Sequence, residues 1–339
     1  MNNNPCVDRD ALFSNWRSQP EAACQVQSHS TTDIDDHACS ISGWDQVYDQ
    51  LSPGHYSGSI TECWIDDVQV IRERANQCVH QMGHAWRGAR TFIIPMAQQG
   101  ASRFGSQVTE ASVPATLGPG QELDFRTPPT LDVMSIALSA ESVSQLSIST
   151  EGFDLETMLR GSLCLHGDNA GLEELRTLLD SVFHVLQDTP ELLAYAAVRK
   201  GLRHTLLTSF FSLFSNVDSS SEKNRRTLLH KRVVDKSREY VLENTDRPVT
   251  IAELCGIVGV SRRSLQMCFQ EITGTNPVQY LRAIRLNQVR RELRQNEGAK
   301  VKVQDVACNW GFWHLSSFTA DYKRMFGELP SQTLHRTAS

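Results

Sequence analysis

A motif that occurs twice near the C-terminus constrains the fold of this 339-residue chain more than any other feature. The first copy contains GVSRRSLQMCF and the second contains GFWHLSSFTADY. In each copy an apolar stripe leads into a glycine-apolar turn, and a second apolar stripe is closed by glycine and proline. This order is typical of a helix-turn-helix, which lays one helix in the DNA major groove. The matched pairs lie 52 or 53 residues apart: Ile251 and Val303, Leu254 and Val306, Gly259 and Gly311, Leu265 and Phe318, Phe269 and Tyr322, Gly274 and Gly327.

The charge is distributed unevenly along the chain. Residues 225–339 hold 19 Lys and Arg against 11 Asp and Glu, whereas residues 1–224 hold 14 against 28, and the net charge is −6. A basic C-terminal segment is expected to contact phosphates, and an acidic remainder is repelled by DNA. The doubled motif lies in the basic segment, which favours double-stranded DNA as a partner.

Composition argues against several other classes of protein. No apolar run approaches the roughly 18 residues of a membrane span, and the first residues lack the basic start and apolar stretch of a secretory signal. The nine cysteines are odd in number and include no Cys-x-x-Cys pair, which argues against a disulfide frame or a zinc knuckle. We therefore expect a cytoplasmic protein that has no membrane partner and needs no metal.

The pattern of signals divides the chain and predicts an α+β fold class. Short β-branched or aromatic runs separated by glycine and proline predict a small β-barrel-like (cupin-like) domain or a sandwich, which can enclose one small ligand. Helical stripes and then a polar linker follow, before an all-α tandem helix-turn-helix domain. The predicted parts are a mobile tail (1–36), a β-rich effector domain (37–140), a helical region suited to dimerisation (141–214), a linker (215–224) and the DNA-binding domain (225–339).

Two local features of the β-rich part are predicted separately. A short helix is expected from Trp44 to Leu51, stopped by the Ser-Pro-Gly turn that follows. Asp66 and Asp67 lie between two strand candidates, so a turn is expected there rather than a catalytic carboxylate pair.

In the first helix-turn-helix, Thr250 and Glu253 form a capping-box pattern, and Ser261 is placed to cap the second helix. Leu265 and Phe269 occupy the buried positions of the repeat, so the opposite face of that helix is predicted to meet base edges. Arginine pairs with guanine and glutamine with adenine. The predicted DNA-contacting residues of this unit are Arg262, Arg263, Gln266 and Met267.

The second unit departs from the first. Lys302 stands where the first unit has Thr250, so its helix lacks a capping side chain. The exposed positions offer few charged base readers, which suits phosphate or water-mediated contacts. They are Trp313, His314, Ser316, Ser317 and Lys323.

A connecting helix over 277–293 links the two units. A helix of this length measures about 27 Å, compatible with reading helices about 34 Å apart, one turn of DNA. Some of its arginines, which include Arg282, Arg290 and Arg294, are expected to form internal ion pairs with Glu292 or with carboxylates of the first helices, and none is assigned to phosphate.

Residues 237–335 resemble the DNA-binding domain of the AraC/XylS family of transcription regulators. The resemblance is carried by SREYVLENTDRPVTIAELC, GVSRRSLQMCF, YLRAIRLNQVRREL and DVACNWGFWHLSSFTADYKRMFGELPS. It implies a sequence-specific regulator, usually an activator that recruits RNA polymerase and carries a separate effector or dimerisation domain. The N-terminal stretch WDQVYDQLSPGHYSGSITECWIDDVQVIRE is similar to regulators of ethanolamine-utilisation operons. That similarity implies ethanolamine and a cobalamin as effectors.

The predicted function is a ligand-responsive transcription activator of a catabolic operon, and not an enzyme. One alternative is a small-barrel metalloenzyme with a DNA-binding tail. For that alternative the barrel segment offers His80 and His84, which on a strand would lie about 13 Å apart, too far for one ion. A second alternative is a constitutive DNA-binding dimer without an effector.

Overall fold

The computed structural model describes residues 26–97, 100–109, 113–139, 143, 164–165, 169–214, 224–245, 247–296 and 301–335. Its N-terminal part is built from strands and one short helix, α1 (Ile34–Ala38). The strands are β1 (Val26–Thr31), β2 (Asp45–Gln50), β3 (Gly58–Ile65), β4 (Val68–Ala75), β5 (Val79–His84), β6 (Ala89–Pro95), β7 (Ser102–Phe104), β8 (Gln107–Thr109), β9 (Ala115–Leu117), β10 (Leu123–Arg126) and β11 (Leu131–Ser139).

The strands form two antiparallel sheets that do not close into one ring. One has the order β1-β3-β4-β11-β6-β9 and the other β2-β5-β10-β7-β8. The predicted α+β class is confirmed, and of the two predicted forms the β part is the sandwich-like one. The turn between β3 and β4 holds Asp66 at a φ of 53°, as expected for that aspartate pair. Arg199 and Arg203 hold this turn, with N–O distances of 2.8 Å to Asp66 and 2.7 Å to Asp67.

Two local predictions differ from the structure. The helix expected from Trp44 to Leu51 is wrong, because strand β2 lies there and pairs with β5 along its whole length. Residues 26–36, predicted to be part of the tail, form β1 and α1. β1 pairs with β3, and the Asp33 carboxylate accepts hydrogen bonds from two backbone N–H groups of α1. β1 is therefore ordered by a strand distant in sequence, and α1 by its own N-terminal cap.

The helical region packs on the six-stranded sheet. It comprises α2 (Asn169–Asp188), a 3-10 helix (Pro190–Ala194) and α3 (Ala196–Phe214). The predicted stripe of α2 is buried at Leu172, Leu175, Leu179, Val182 and Leu186, in one core with strand residues such as Ile65, Phe92 and Ile136. Its role in a dimer stays a prediction. Residues 215–223 of the predicted linker lie outside the described residues.

The described residues of the C-terminal part form helices joined by turns, with two hydrophobic cores, one for each helix-turn-helix. The connecting helix α7 serves both cores, since Tyr280 and Ile284 lie in the first and Val289 and Leu293 in the second. The helices are α4 (Asn224–Glu243), α5 (Ile251–Val258), α6 (Arg262–Thr273), α7 (Pro277–Gln295), α8 (Val303–Asn309), α9 (Leu315–Phe326) and α10 (Pro330–Leu334). Within the described part of the chain, none of the helices has the length and apolar character to cross a bilayer.

Candidate DNA-binding surface

The first helix-turn-helix is fixed by local hydrogen bonds at the start of each helix. The Thr250 hydroxyl accepts from Glu253 N at 3.2 Å, and the Ser261 hydroxyl accepts from Ser264 N at 3.1 Å. Gly259 ends α5 at a φ of 70°, a left-handed conformation that costs glycine little. Both predicted caps are therefore present.

The Glu253 side chain does not complete the capping box. Its carboxylate instead accepts a hydrogen bond from the Tyr240 hydroxyl at 2.6 Å and forms an ion pair with Arg247. Hydrogen bonds from Arg247 and Tyr240 hold the pKa of the Glu253 carboxyl at about 2. This contact ties α5 to α4 rather than to its own first turn.

Helix α6 separates its side chains as the repeat predicts. Leu265 and Phe269 are fully buried. The four predicted contact residues of this unit, Arg262, Arg263, Gln266 and Met267, are all exposed. Three of them lie within the first five residues of α6, the end of a recognition helix that reaches base edges.

The second unit reproduces the turn without the caps. Lys302 makes no side-chain hydrogen bond at the start of α8, as predicted, and α9 also begins without a side-chain cap. Gly311 adopts a φ of 74°. The Trp310 indole donates to the Glu292 carboxylate at 2.6 Å and ties this turn to α7.

Every predicted contact residue of the second unit is exposed, four of them around the start of α9 and Lys323 in its last turn. Trp313 is 60% exposed, an unusual position for a large apolar side chain. Next to it His314, Ser316 and Ser317 are exposed. The surface formed by the exposed residues of α6 and α9 is named the reading surface below, and DNA contact by any single residue of it stays a prediction.

Two arginines of α7 have different partners from those expected, whereas Arg282 pairs with Asp321 of α9 within the C-terminal part. Arg290 contacts the Asp33 carboxylate at 2.6 Å and Asp35 at 3.3 Å. Arg294 pairs with Asp33 and Asp36. These carboxylates belong to the N-terminal domain, so α7 is bound to that domain.

Strand β2 extends this contact between the domains. Asp49 is fully buried and lies 2.8 Å from Arg291 of α7 and 3.1 Å from Arg238 of α4. Burial alone would raise the pKa of the Asp49 carboxyl, but the two arginines lower it below its ordinary value. Asn287 donates to Gln50 O and accepts from Gln50 N, both at 2.9 Å. Its amide therefore pairs with the edge of β2 that no other strand of the sheet occupies. Unpaired sheet edges favour unwanted association, and α7 covers this one.

The N-terminal domain also contacts the last turn of both reading helices. Arg103 of β7 donates to Glu271 O in α6. Gln50 Nε2 and Gly54 N donate to Met325 O in α9, at 2.7 Å and 3.0 Å. Sequence reasoning missed these contacts, because partners 168 or 275 residues apart leave no local signal.

The two histidines considered as metal ligands lie on β5, with different surroundings. His80 Nε2 lies 2.8 Å from the Asp124 carboxylate, and its Nδ1 lies 3.3 Å from the Tyr280 hydroxyl. Both ring nitrogens of His80 therefore have protein partners. Neither contact includes His84.

Comparisons with known proteins agree with this geometry. A family model described as a helix-turn-helix domain matches residues 254–336. The probable thc operon regulatory protein of Rhodococcus erythropolis is 31% identical over 166 residues, 47% of this chain and 47% of that protein. The XylDLEGF operon transcriptional activator 2 of Pseudomonas putida is 36% identical over 96 residues, 28% of this chain and 61% of that protein.

One solved structure is similar to part of the chain. It is a probable AraC family transcriptional regulator from Rhodopseudomonas palustris CGA009, which is 34% identical. The match covers 30% of this chain and 94% of that one, with a TM-score of 0.28. The chain spans about half the length of the thc operon regulatory protein and under two thirds of the XylDLEGF activator.

Proposed function

We propose that the chain is a sequence-specific activator of a catabolic operon, because it belongs through its C-terminal domain to the AraC/XylS family of transcription regulators. The observation that carries this proposal is the doubled helix-turn-helix, in which α6 and α9 bury the repeat positions and expose the opposite face. Relatives named as operon regulators and transcriptional activators support transcription as the process.

In this proposal the reading surface enters two successive major grooves on one side of double-stranded DNA. The 19 residues of α7 measure about 28 Å, which suits grooves about 34 Å apart. Arg262, Arg263 and Gln266 read base edges, because their donors and acceptors match guanine and adenine. Met267 packs beside them, and the exposed side chains of α9 hold phosphates or bridging waters.

The N-terminal domain is the proposed sensor of a small-molecule effector. It contacts Glu271 O in α6 and Met325 O in α9, so a change in its sheets alters the placement of both reading helices. The resemblance to regulators of ethanolamine utilisation supports that class of operon. RNA polymerase as the recruited partner, and a homodimer through the helical region, are carried over from the same family.

Capture of genomic DNA tests the DNA-binding part of the proposal. Purified full-length protein is mixed with sheared genomic fragments, and the bound fragments are sequenced and footprinted. Recurring sites with protection over two grooves are expected, and Arg87→Gln, an exposed position in the N-terminal domain, should select the same sites. Protection confined to one groove, or no enrichment, would overturn the two-groove mode of binding.

Thermal unfolding of the full chain tests the sensor. A ligand present at 100 times its Kd stabilises the folded state by about 2.7 kcal/mol. Stabilisation by an organic effector supports the sensor, whereas stabilisation by a divalent metal alone favours the metalloenzyme alternative. A chain that selects its DNA sites but is stabilised by none of a broad set of metabolites would be the constitutive DNA-binding dimer.

A further inference from the structure

Trp313 is the one tryptophan that the fold leaves exposed among the residues that the structure describes. It lies in the turn between α8 and α9, with 60% of its surface exposed. The remaining described tryptophans are buried or half-buried, and the indole N–H of each donates to a side chain; they are Trp44, Trp64, Trp86 and Trp310. In the described part of the chain, the Trp313 indole has neither a hydrogen bond nor a ring contact. The packing of the domain therefore does not account for this side chain.

The same position in the first unit holds a residue that stabilises its helix. Trp313 matches Ser261, 52 residues earlier in the chain. The Ser261 hydroxyl caps α6 by accepting from Ser264 N at 3.1 Å, whereas α9 begins at His314 without a hydrogen bond from a capping side chain. The exposed indole therefore stands where a small hydroxyl would stabilise the helix. An exposed aromatic ring and a missing cap both depart from local rules of stability, and such departures are expected at functional sites.

The backbone on both sides of Trp313 is held in place. Before it, Phe312 N donates to Ala307 O at 2.9 Å, and the Phe312 ring packs with its centroid 5.1 Å from that of Phe318 in the core of the second unit. After it, His314 O accepts from Phe318 N at 2.9 Å. Trp313 therefore projects from a fixed turn at the N-terminal end of α9, the end of a recognition helix that reaches base edges.

The floor of the major groove offers an exposed aromatic ring one kind of apolar partner. That partner is the C5-methyl group of thymine, because the other groups on the base edges are hydrogen-bond donors and acceptors. An indole carries no charge, so it is less suited to a phosphate than the arginine and lysine side chains that dominate such contacts. Packing the ring against a methyl group removes apolar surface of both partners from water.

We propose that Trp313 reads a thymine in the second major groove, with its indole ring packed against the C5-methyl group. The inference rests on the DNA binding proposed above and assigns one base contact to the second unit. Trp313 precedes α9, so the phosphate and water contacts proposed for the side chains of α9 itself are unchanged. The first unit then reads bases through the hydrogen bonds of Arg263 and Gln266, and the second reads one base through an apolar contact.

Replacement of thymine by uracil in a selected DNA site tests the contact, because uracil differs from thymine only by the missing methyl group. The site comes from the genomic capture, each thymine of the footprint is replaced in turn, and the Kd of the full chain is measured. At the thymine that Trp313 contacts, uracil should weaken binding by the wild type about 3- to 10-fold, the loss of one buried methyl group. Trp313→Ala should bind the thymine and uracil sites equally. Trp313→Phe keeps an apolar ring without the indole N–H and should retain most of the preference for thymine.

Tyr195→Ala is the matched control, since Tyr195 is an aromatic residue that is 63% exposed outside the reading surface. Its ratio of the two Kd values should equal that of the wild type. The inference is overturned if uracil weakens binding by the wild type at no thymine, or if it weakens Trp313→Ala as much as the wild type. It is also overturned if Trp313→Phe behaves like Trp313→Ala, because the indole N–H would then make the contact. In each of these cases the chain still selects its genomic sites and the regulator proposal stands. A chain that selects no sites contradicts both.

Discussion

The first helix-turn-helix begins at a helix capped by a side chain, whereas the second begins at Lys302 without such a cap. The first exposes two arginines and a glutamine, and the second exposes an indole and an imidazole. The buried positions of the repeat agree in both, with Phe269 and Tyr322 each fully enclosed. The shared positions are those that pack, and the exposed faces differ. We therefore expect the two units to make different contacts with DNA from the same fold.

The second unit offsets its missing caps with aromatic packing. Phe318 lies with its ring centroid 5.1 Å from Phe312 and 5.7 Å from Tyr322, and Tyr322 lies 4.7 Å from Phe326. Aromatic pairs contribute about 0.5–1.5 kcal/mol each beyond the area they bury, similar to a cap at about 1 kcal/mol. The Arg290 guanidinium adds a cation–π contact, 5.5 Å from the Phe326 ring centre. The second unit is consequently linked to the N-terminal domain through the same arginine that binds Asp33.

The largest expected effect comes from removing that arginine. Arg290→Ala leaves Asp33 buried with one partner fewer, and breaking a buried ion pair costs about 3–5 kcal/mol. Chemical denaturation measures the total loss, and hydrogen exchange should find that α9 loses more protection than α6. Arg238→Ala, on the side of the first unit, is the matched control and should cost less, since Arg238 pairs with the Asp49 carboxylate, whereas Arg290 pairs with the carboxylates of Asp33, Asp35 and Glu328. Equal loss of protection in α6 and α9 would show that the two units do not dock separately.

This dependence on Arg290 marks the limit of what the sequence predicts. The repeat predicted which residues of α6 and α9 are buried, because apolar periodicity and glycine turns are local signals. The N-terminal partners of Arg290 and Arg294 could not be predicted, since Asp33 lies 257 residues from Arg290 in the chain. β2 was missed for the same reason. Tyr48 is buried and Val47 is 43% exposed, an alternation too short to identify a strand without its partner β5.

The next largest effect concerns base reading, where the two units should differ most. Arg263→Ala should cost about 1–3 kcal/mol at one base position and relax specificity there, as expected for an arginine paired with guanine. Gln266→Ala should relax a different position. His314→Ala in the second unit should weaken binding without changing sequence preference. Binding to a randomised DNA library measures the sequence preference of all three variants. If His314→Ala changes the preference at one base position, both units read bases.

Removing the cap of the first unit and adding one to the second should change the free energy of unfolding by smaller amounts, of opposite sign. Thr250→Ala removes the hydrogen bond to Glu253 N and should destabilise the domain by about 1 kcal/mol. Lys302→Thr introduces a capping hydroxyl at the matching position and should stabilise it by about 0.5–1 kcal/mol. Urea denaturation of the full chain measures both changes. No gain from Lys302→Thr would mean that the start of α8 is already stabilised by its packing.

The smallest effect is expected at Lys323, near the end of the reading helix of the second unit. Its ammonium group is exposed and suits phosphate, so Lys323→Ala should weaken binding to all sequences about equally and reduce the salt slope by about 1. Arg263→Ala supplies the contrast, because Arg263 is proposed to read a base and its loss should change sequence preference more than salt dependence. Binding titrations from about 50 to 200 mM salt measure the slope. If both variants change the salt dependence of binding and leave the sequence preference intact, both units contact phosphates only. The different side chains on the two surfaces would then not separate base reading from phosphate binding.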